Sequence, residues 1–177
     1  MKIITILCVI VLLYIMCCGI VFFKKKNIKY KYVNATDYYV VLERLYREFD
    51  EECEPLKNSQ YRELIENDFD LKFYNYKEKR LSNGTAGITF PVIRTIILDD
   101  RLLNEEYCVV FTHETIHLDC YVADERWVCF ETFKYLYESD NPKLHNAGVK
   151  YSIQQMKGLY REERDVYDLI VDYLTNK

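Results

Sequence analysis

Hydrophobic positions along this chain follow two regimes. Residues 3–23, IITILCVIVLLYIMCCGIVFF, are one uncharged apolar run, about as long as the ~20 residues a helix needs to cross a bilayer. A cleaved signal sequence has a shorter apolar stretch, roughly 7–15 residues, with small residues at the cut. Neither feature is present, so residues 1–23 read as a single retained transmembrane anchor. Residues 24–35 are a basic juxtamembrane linker carrying Lys24, Lys25, Lys26, Lys29 and Lys31. By the positive-inside rule this places the globular part on the cytoplasmic side of a single-pass membrane protein.

From residue 36 to 177 the pattern is that of one folded domain. Thr36 is placed to cap a helix running to about Glu52, with Val41, Leu42, Leu45 and Phe49 at helical spacing and Pro55 beyond its end. A second, shorter helix is predicted over 59–66. At Leu71 the period shifts towards alternation, and Leu71–Lys77, Thr85–Phe90 and Arg94–Leu98 read as strands. Asn83-Gly84 is a turn signal between the first two, and Pro91 breaks the second from the third. Glu105–Tyr121 then reads as a buried helix. Asp124 caps another helix to about Glu138, and after Asn141-Pro142 two more helices complete the chain. The predicted class is α+β, with a small, mainly antiparallel sheet set among helices.

Composition narrows the function. Half the residues are apolar and 29% are charged, the balance of a folded domain. The net charge of −4 offers no basic footprint for nucleic acid. The 17 tyrosines accompany no recognition motif. Cys53, Cys108, Cys120 and Cys129 match no disulfide framework or zinc finger and read as free, mostly buried thiols. Cys17 and Cys18 fit a lipobox poorly. Asn34-Ala35-Thr36 and Asn83-Gly84-Thr85 match the glycosylation pattern, which matters only in a secretory lumen.

The chemistry is carried by Phe111-Thr112-His113-Glu114-Thr115-Ile116-His117. On a helix, His113 and His117 stand one turn apart on one face, where two imidazoles can share a tetrahedral zinc ion. Glu114 flanks that face, placed to take a proton from a zinc-bound water and to pass it to a leaving amine. Only three histidines occur in the chain, and two of them lie in this motif.

Catalytic zinc commonly has three protein ligands. Downstream candidates are Asp119, Asp124, Glu125, Glu131 and His145. Counting 100° per residue round the predicted helix, Cys129, Thr132, Phe133 and Leu136 fall within about 80° of Glu125. That puts Glu125 on the apolar face, where a buried carboxylate needs a partner, and makes it the first choice. Glu131 falls on a solvated flank with Lys134 and Glu138. Asp119 and Asp124 remain as alternatives or as outer partners of a histidine, while His145 falls in a predicted surface turn. Tyr121, Tyr135 and Tyr151 are better explained by packing than as stabilisers of a transition state.

Ile96-Ile97-Leu98-Asp99-Asp100, a short spacer and Val110-Phe111-Thr112-His113-Glu114-Thr115-Ile116-His117 together resemble the ImmA/IrrE-type minimal zinc peptidases, in which a strand precedes the histidine helix. Glu125, Val128 and Thr132 resemble that family's following glutamate with small residues three and seven positions on. Ile116 stands where the family has glycine, and Glu125 follows the second histidine sooner, so the broader zincin-like class is the expectation. The resemblance implies a zincin-like fold, a Zn2+ cofactor held by His113, His117 and Glu125, and a protein or peptide substrate. A non-catalytic zincin-like binding module is the competing expectation, and an amidase built on the same zinc chemistry is a third.

Overall fold

The computed structural model describes residues 33–82, 84–121, 124–157 and 166–177. The apolar run over 3–23 and the lysines of the linker lie outside the described residues. Among the described residues no helix is long and apolar enough to cross a membrane.

Among the described residues the fold is α+β, six α-helices with a three-stranded sheet. Helices α1 (Ala35–Glu48) and α2 (Asn58–Asp68) precede strands β1 (Asn75–Glu78), β2 (Gly87–Phe90) and β3 (Thr95–Leu98). Helices α3 (Asn104–Cys120), α4 (Glu125–Tyr137), α5 (Pro142–Met156) and α6 (Val166–Thr175) follow. Two large apolar clusters and a small third one, Ile116 with Trp127 and Val128, hold it together. One large cluster joins α1, α4, α5 and α6 through residues such as Leu45, Phe133, Val149 and Ile170. The other joins α2, the sheet and α3 through Tyr61, Ile65, Ile96, Leu98 and Phe111. Of the four domain cysteines, Cys108 and Cys129 are buried, Cys53 is half-buried and Cys120 exposed.

Helix starts follow side-chain chemistry. Asn34, not the expected Thr36, caps α1, its Oδ1 accepting from the Asp37 N–H at 2.9 Å, which satisfies one of the free donors of the first turn. The helix ends at Glu48, four residues short of the expected Glu52, because Phe49 turns extended there. Asp124 caps α4 by accepting from the Trp127 N–H. Pro142 does not leave His145 in a turn, as expected, but opens α5, since proline suits the first turn of a helix. His145 Nδ1 then lies 2.6 Å from the Tyr137 carbonyl, across the α4–α5 corner.

The sheet departs from expectation in topology. Its order is β1-β3-β2, with β1 parallel to β3 and β2 antiparallel to β3. It is therefore mixed, not mainly antiparallel. Gly84 does make the turn that Asn83-Gly84 signals, at φ +87°. That turn does not close a hairpin, because the third strand inserts between the first two. Residues up to Tyr74 lie before the first strand, which begins later than the expected Leu71.

Asp99, just beyond β3, ties the loop after β1 to the turn that leads out of β3. Its side chain is 4% exposed. It accepts from the Leu81 N–H at 2.9 Å, from the Arg101 N–H at 2.9 Å and from Arg101 Nε and Nη2, both at 2.7 Å. The Arg101 guanidinium, helped by the two N–H groups, holds the Asp99 carboxyl well below the usual carboxylate range against its burial. Since the folded value is the depressed one, this stabilisation is full above the unfolded-chain value, about pH 4, and fades as pH falls below it. Asp99→Asn is accordingly expected to lower the melting temperature at pH 7, with the gap to wild type narrowing below about pH 4. A constant gap across a pH series of melting curves would show that Asp99 acts only through its shape.

Candidate metal centre

Helix α3 carries the histidine motif, and its entry is fixed from a distance. Its first residue lacks a side-chain cap of its own. Asn58, at the start of α2, supplies the partner: its Nδ2 donates to the Leu102 carbonyl at 2.9 Å and its Oδ1 accepts from the Asn104 N–H at 3.0 Å. Glu105 and Glu106 in the first turn suit the positive end of the helix dipole. At the other end Tyr121 turns left-handed at φ +51° and stops the helix four residues after His117. Between these ends Phe111, Thr112, Glu114, Thr115, Ile116, His117 and Leu118 are all buried, so the helix is gripped nearly all round, as the sequence anticipates. Ile116, where the resembling family has glycine, packs with Trp127 and Val128 of α4.

Three side chains converge on one point. His117 Nε2 lies 3.0 Å from His113 Nε2. Glu125 Oε2 is 3.1 Å from His113 Nε2, and Glu125 Oε1 is 3.3 Å from His117 Nε2. The ligand atoms of the trio lie within 4.8 Å of one another. Two ring nitrogens and a carboxylate oxygen bound tetrahedrally at about 2.0–2.1 Å would stand about 3.3–3.4 Å apart. The observed spacing is close to that, and both histidines turn the same ring atom inward. The donor set thus fits a divalent first-row transition-metal ion, zinc among them.

Glu125 reaches this place by a different route from the one its helical position suggests. It is the first residue of α4 and its side chain is 63% exposed, not buried on the apolar face. Its carboxyl opens onto the cleft and is held well below the usual carboxylate range by hydrogen bonds to His113 and His117. The remaining candidates stand elsewhere. Asp124 is used as the α4 cap, and Asp119 is exposed at the end of α3. Glu131, half-buried on α4, and His145 are not in the trio. Tyr135 donates to Asp68 at 2.5 Å and Tyr121 lies 3.4 Å from Arg94 Nη1, while Tyr151 lines the cleft.

Glu114 sits beside the trio, 7% exposed. Burial pushes its carboxyl up from the ordinary range, opposed chiefly by the neighbouring His113 and by a hydrogen bond from Thr89. Compared with known proteins, the chain matches no family model, no curated protein and no solved structure. The functional reading therefore stands on this geometry.

Three contributors were not singled out from the sequence. Gly87 of β2 lies against Glu114, so close that a Cβ there would come within 2.7 Å of its Cγ and Oε1. Thr89, two residues on, donates to Glu114 Oε2 at 2.6 Å. Cys129 of α4 places its sulfur 3.7 Å from His113 Nδ1, at the nitrogen facing away from the trio, where an outer partner fixes a metal-binding imidazole. Only Cys129 had a signal, since it follows Glu125 by one helical turn. The site opens into a cleft of about 910 Å³ bounded by the loop before β2, the outer face of α3 and α5, with Gly87, Val110, His113, Glu114, Lys150 and Tyr151 on its walls.

Proposed function

We propose that this chain is a zinc-dependent metallopeptidase of the zincin-like class, tethered by its N-terminal apolar run with the catalytic domain at the cytoplasmic face of the membrane. The observation that carries the reading is the convergence of His113, His117 and Glu125 beside a buried glutamate on the same helix. His113, His117 and Glu125 would hold the ion. Zinc, when bound, supplies a Lewis acid that makes water more acidic and polarises a carbonyl.

The chain's own groups do the rest. The Glu114 carboxylate is placed to take a proton from the attacking water and to deliver it to the leaving amine. Strand β2 is an edge of the sheet, with β3 on one side and no strand on the other among the described residues. An extended peptide can add to such an edge by main-chain hydrogen bonds, and Gly87 brings that edge to Glu114. The cleft beyond is large enough to take side chains of a peptide or protein substrate.

Elemental analysis of the purified full chain, prepared without chelators, tests the reading. About one zinc per chain is expected, lost in Glu125→Ala and kept in Glu131→Ala, because a three-ligand site does not survive loss of one ligand. Absence of zinc from the wild-type protein after reconstitution would overturn the enzyme and leave a binding module. Loss in the Glu131 variant alone would move the third ligand about 1.7 turns along α4.

A further inference from the structure

Strand β2 reaches the site through two side-chain positions on one face, Gly87 and Thr89, because alternate residues of a strand point the same way. The Glu114 side chain lies over both. Its Oε1 is 2.7 Å from where a Cβ on Gly87 would stand, and its Oε2 takes the 2.6 Å hydrogen bond from Thr89. The same hydroxyl lies 3.0 Å from the Glu114 carbonyl oxygen. One residue of β2 thus gives the carboxylate room, and the other ties down one of its oxygens.

We propose that Thr89 is a positioning residue for the general base: its hydroxyl holds Oε2 of Glu114 and so leaves Oε1 as the oxygen free for proton transfer. This rests on the metallopeptidase reading above and adds to it how the base is aimed. Glutamate has three side-chain torsions, so an unrestrained carboxylate samples many placements. A base works only within hydrogen-bond reach of its proton, and misplacement by about 1 Å can cost on the order of 100-fold. Being buried, the carboxylate has few other donors to satisfy Oε2. The covalent framework that sets Thr89 is firm, because its strand is paired to β3 with Thr89 opposite Ile96. Gly87 serves the same end sterically, since a methyl group there would displace the carboxylate from the strand.

Acetohydroxamic acid is a suitable probe, because it chelates zinc through two oxygens and hands its hydroxyl proton to the carboxylate beside the ion. Its binding to the zinc-loaded full chain can be measured by calorimetry without any turnover. Thr89→Val keeps the branched shape and removes the hydroxyl, and is expected to weaken the probe about tenfold, the scale seen for outer-shell partners, with zinc content unchanged. Thr89→Ser, which keeps the hydroxyl, is expected to restore binding. In a Glu114→Ala background Thr89→Val is expected to cost nothing further, because its effect passes through Glu114. Equal binding by wild type and Thr89→Val, or the same loss with Glu114 absent, would overturn the inference and leave the peptidase reading standing. Zinc-loaded wild-type protein that ignores the probe would instead overturn the peptidase reading, and this inference with it.

Discussion

Glu114→Gln is expected to leave the protein folded and zinc-loaded while lowering peptide hydrolysis by roughly 10²–10⁴-fold, the usual worth of a positioned acid–base group. Glutamine has the size of glutamate, so it can lie over Gly87 as Glu114 does, and its amide oxygen can still accept from Thr89. What it cannot do is take a proton. Stability is expected to hold or rise, because burial disfavours the charged carboxylate at this position. Cleavage of a peptide library followed by mass spectrometry, at matched zinc content, reads the effect. Undiminished cleavage would remove Glu114 from the mechanism, and lost zinc would recast it as a structural support of the trio.

The second large effect is on stability and lies at the other end of α4. Gly148 of α5 faces the last turn of α4, where an added Cβ would stand 2.6 Å from the Tyr137 nitrogen and 2.8 Å from the Leu136 carbonyl carbon. Those are backbone atoms of a helix and cannot rotate aside. Judged by helix propensity alone, Gly148→Ala should gain about 1 kcal/mol. Overpacking costs about 1–3 kcal/mol, and against backbone atoms that cannot give way the upper end of that range is expected, which outweighs the propensity gain by about 2 kcal/mol. The melting temperature of the full chain in detergent should then fall by roughly 4–8 °C, read by circular dichroism. A rise would mean that α4 and α5 pack less closely than this structure has them.

Gly148 also shows where sequence reasoning stops. Nothing within a few residues of it tells a glycine that helices need from one they merely tolerate; the demand comes from a neighbouring helix. Gly87 and Thr89 are similar. Their alternation is visible in the strand, but which face meets the histidine helix is not. The sheet order is another instance: Asn83-Gly84 signals a turn truthfully, yet a turn does not say whether its two strands pair. Here β3 takes the place between them, and β2 is left at the edge beside Glu114.

Glu125 is the subtler instance. Helical angles drew attention to it through an apolar face and an expected burial, whereas its carboxylate stands largely exposed at the mouth of a cleft. It meets the histidines because the first turn of α4 is brought back across the end of α3, an arrangement no count of degrees along one helix contains.

By itself the sequence determined what short range can encode. The helices and their approximate limits follow from apolar periodicity and capping side chains, and the pairing of His113 with His117 follows from four residues of helical rise. The flanking position of Glu114 and the α+β class follow from the same local rules, because backbone hydrogen bonding and side-chain facing are settled within a turn or two. Only the tertiary structure decided the strand order, the carboxylate that joins the two histidines, the hydroxyl on Glu114 and the close approach at Gly148. Each of these is a contact between residues far apart in the chain, selected by how whole elements pack against one another.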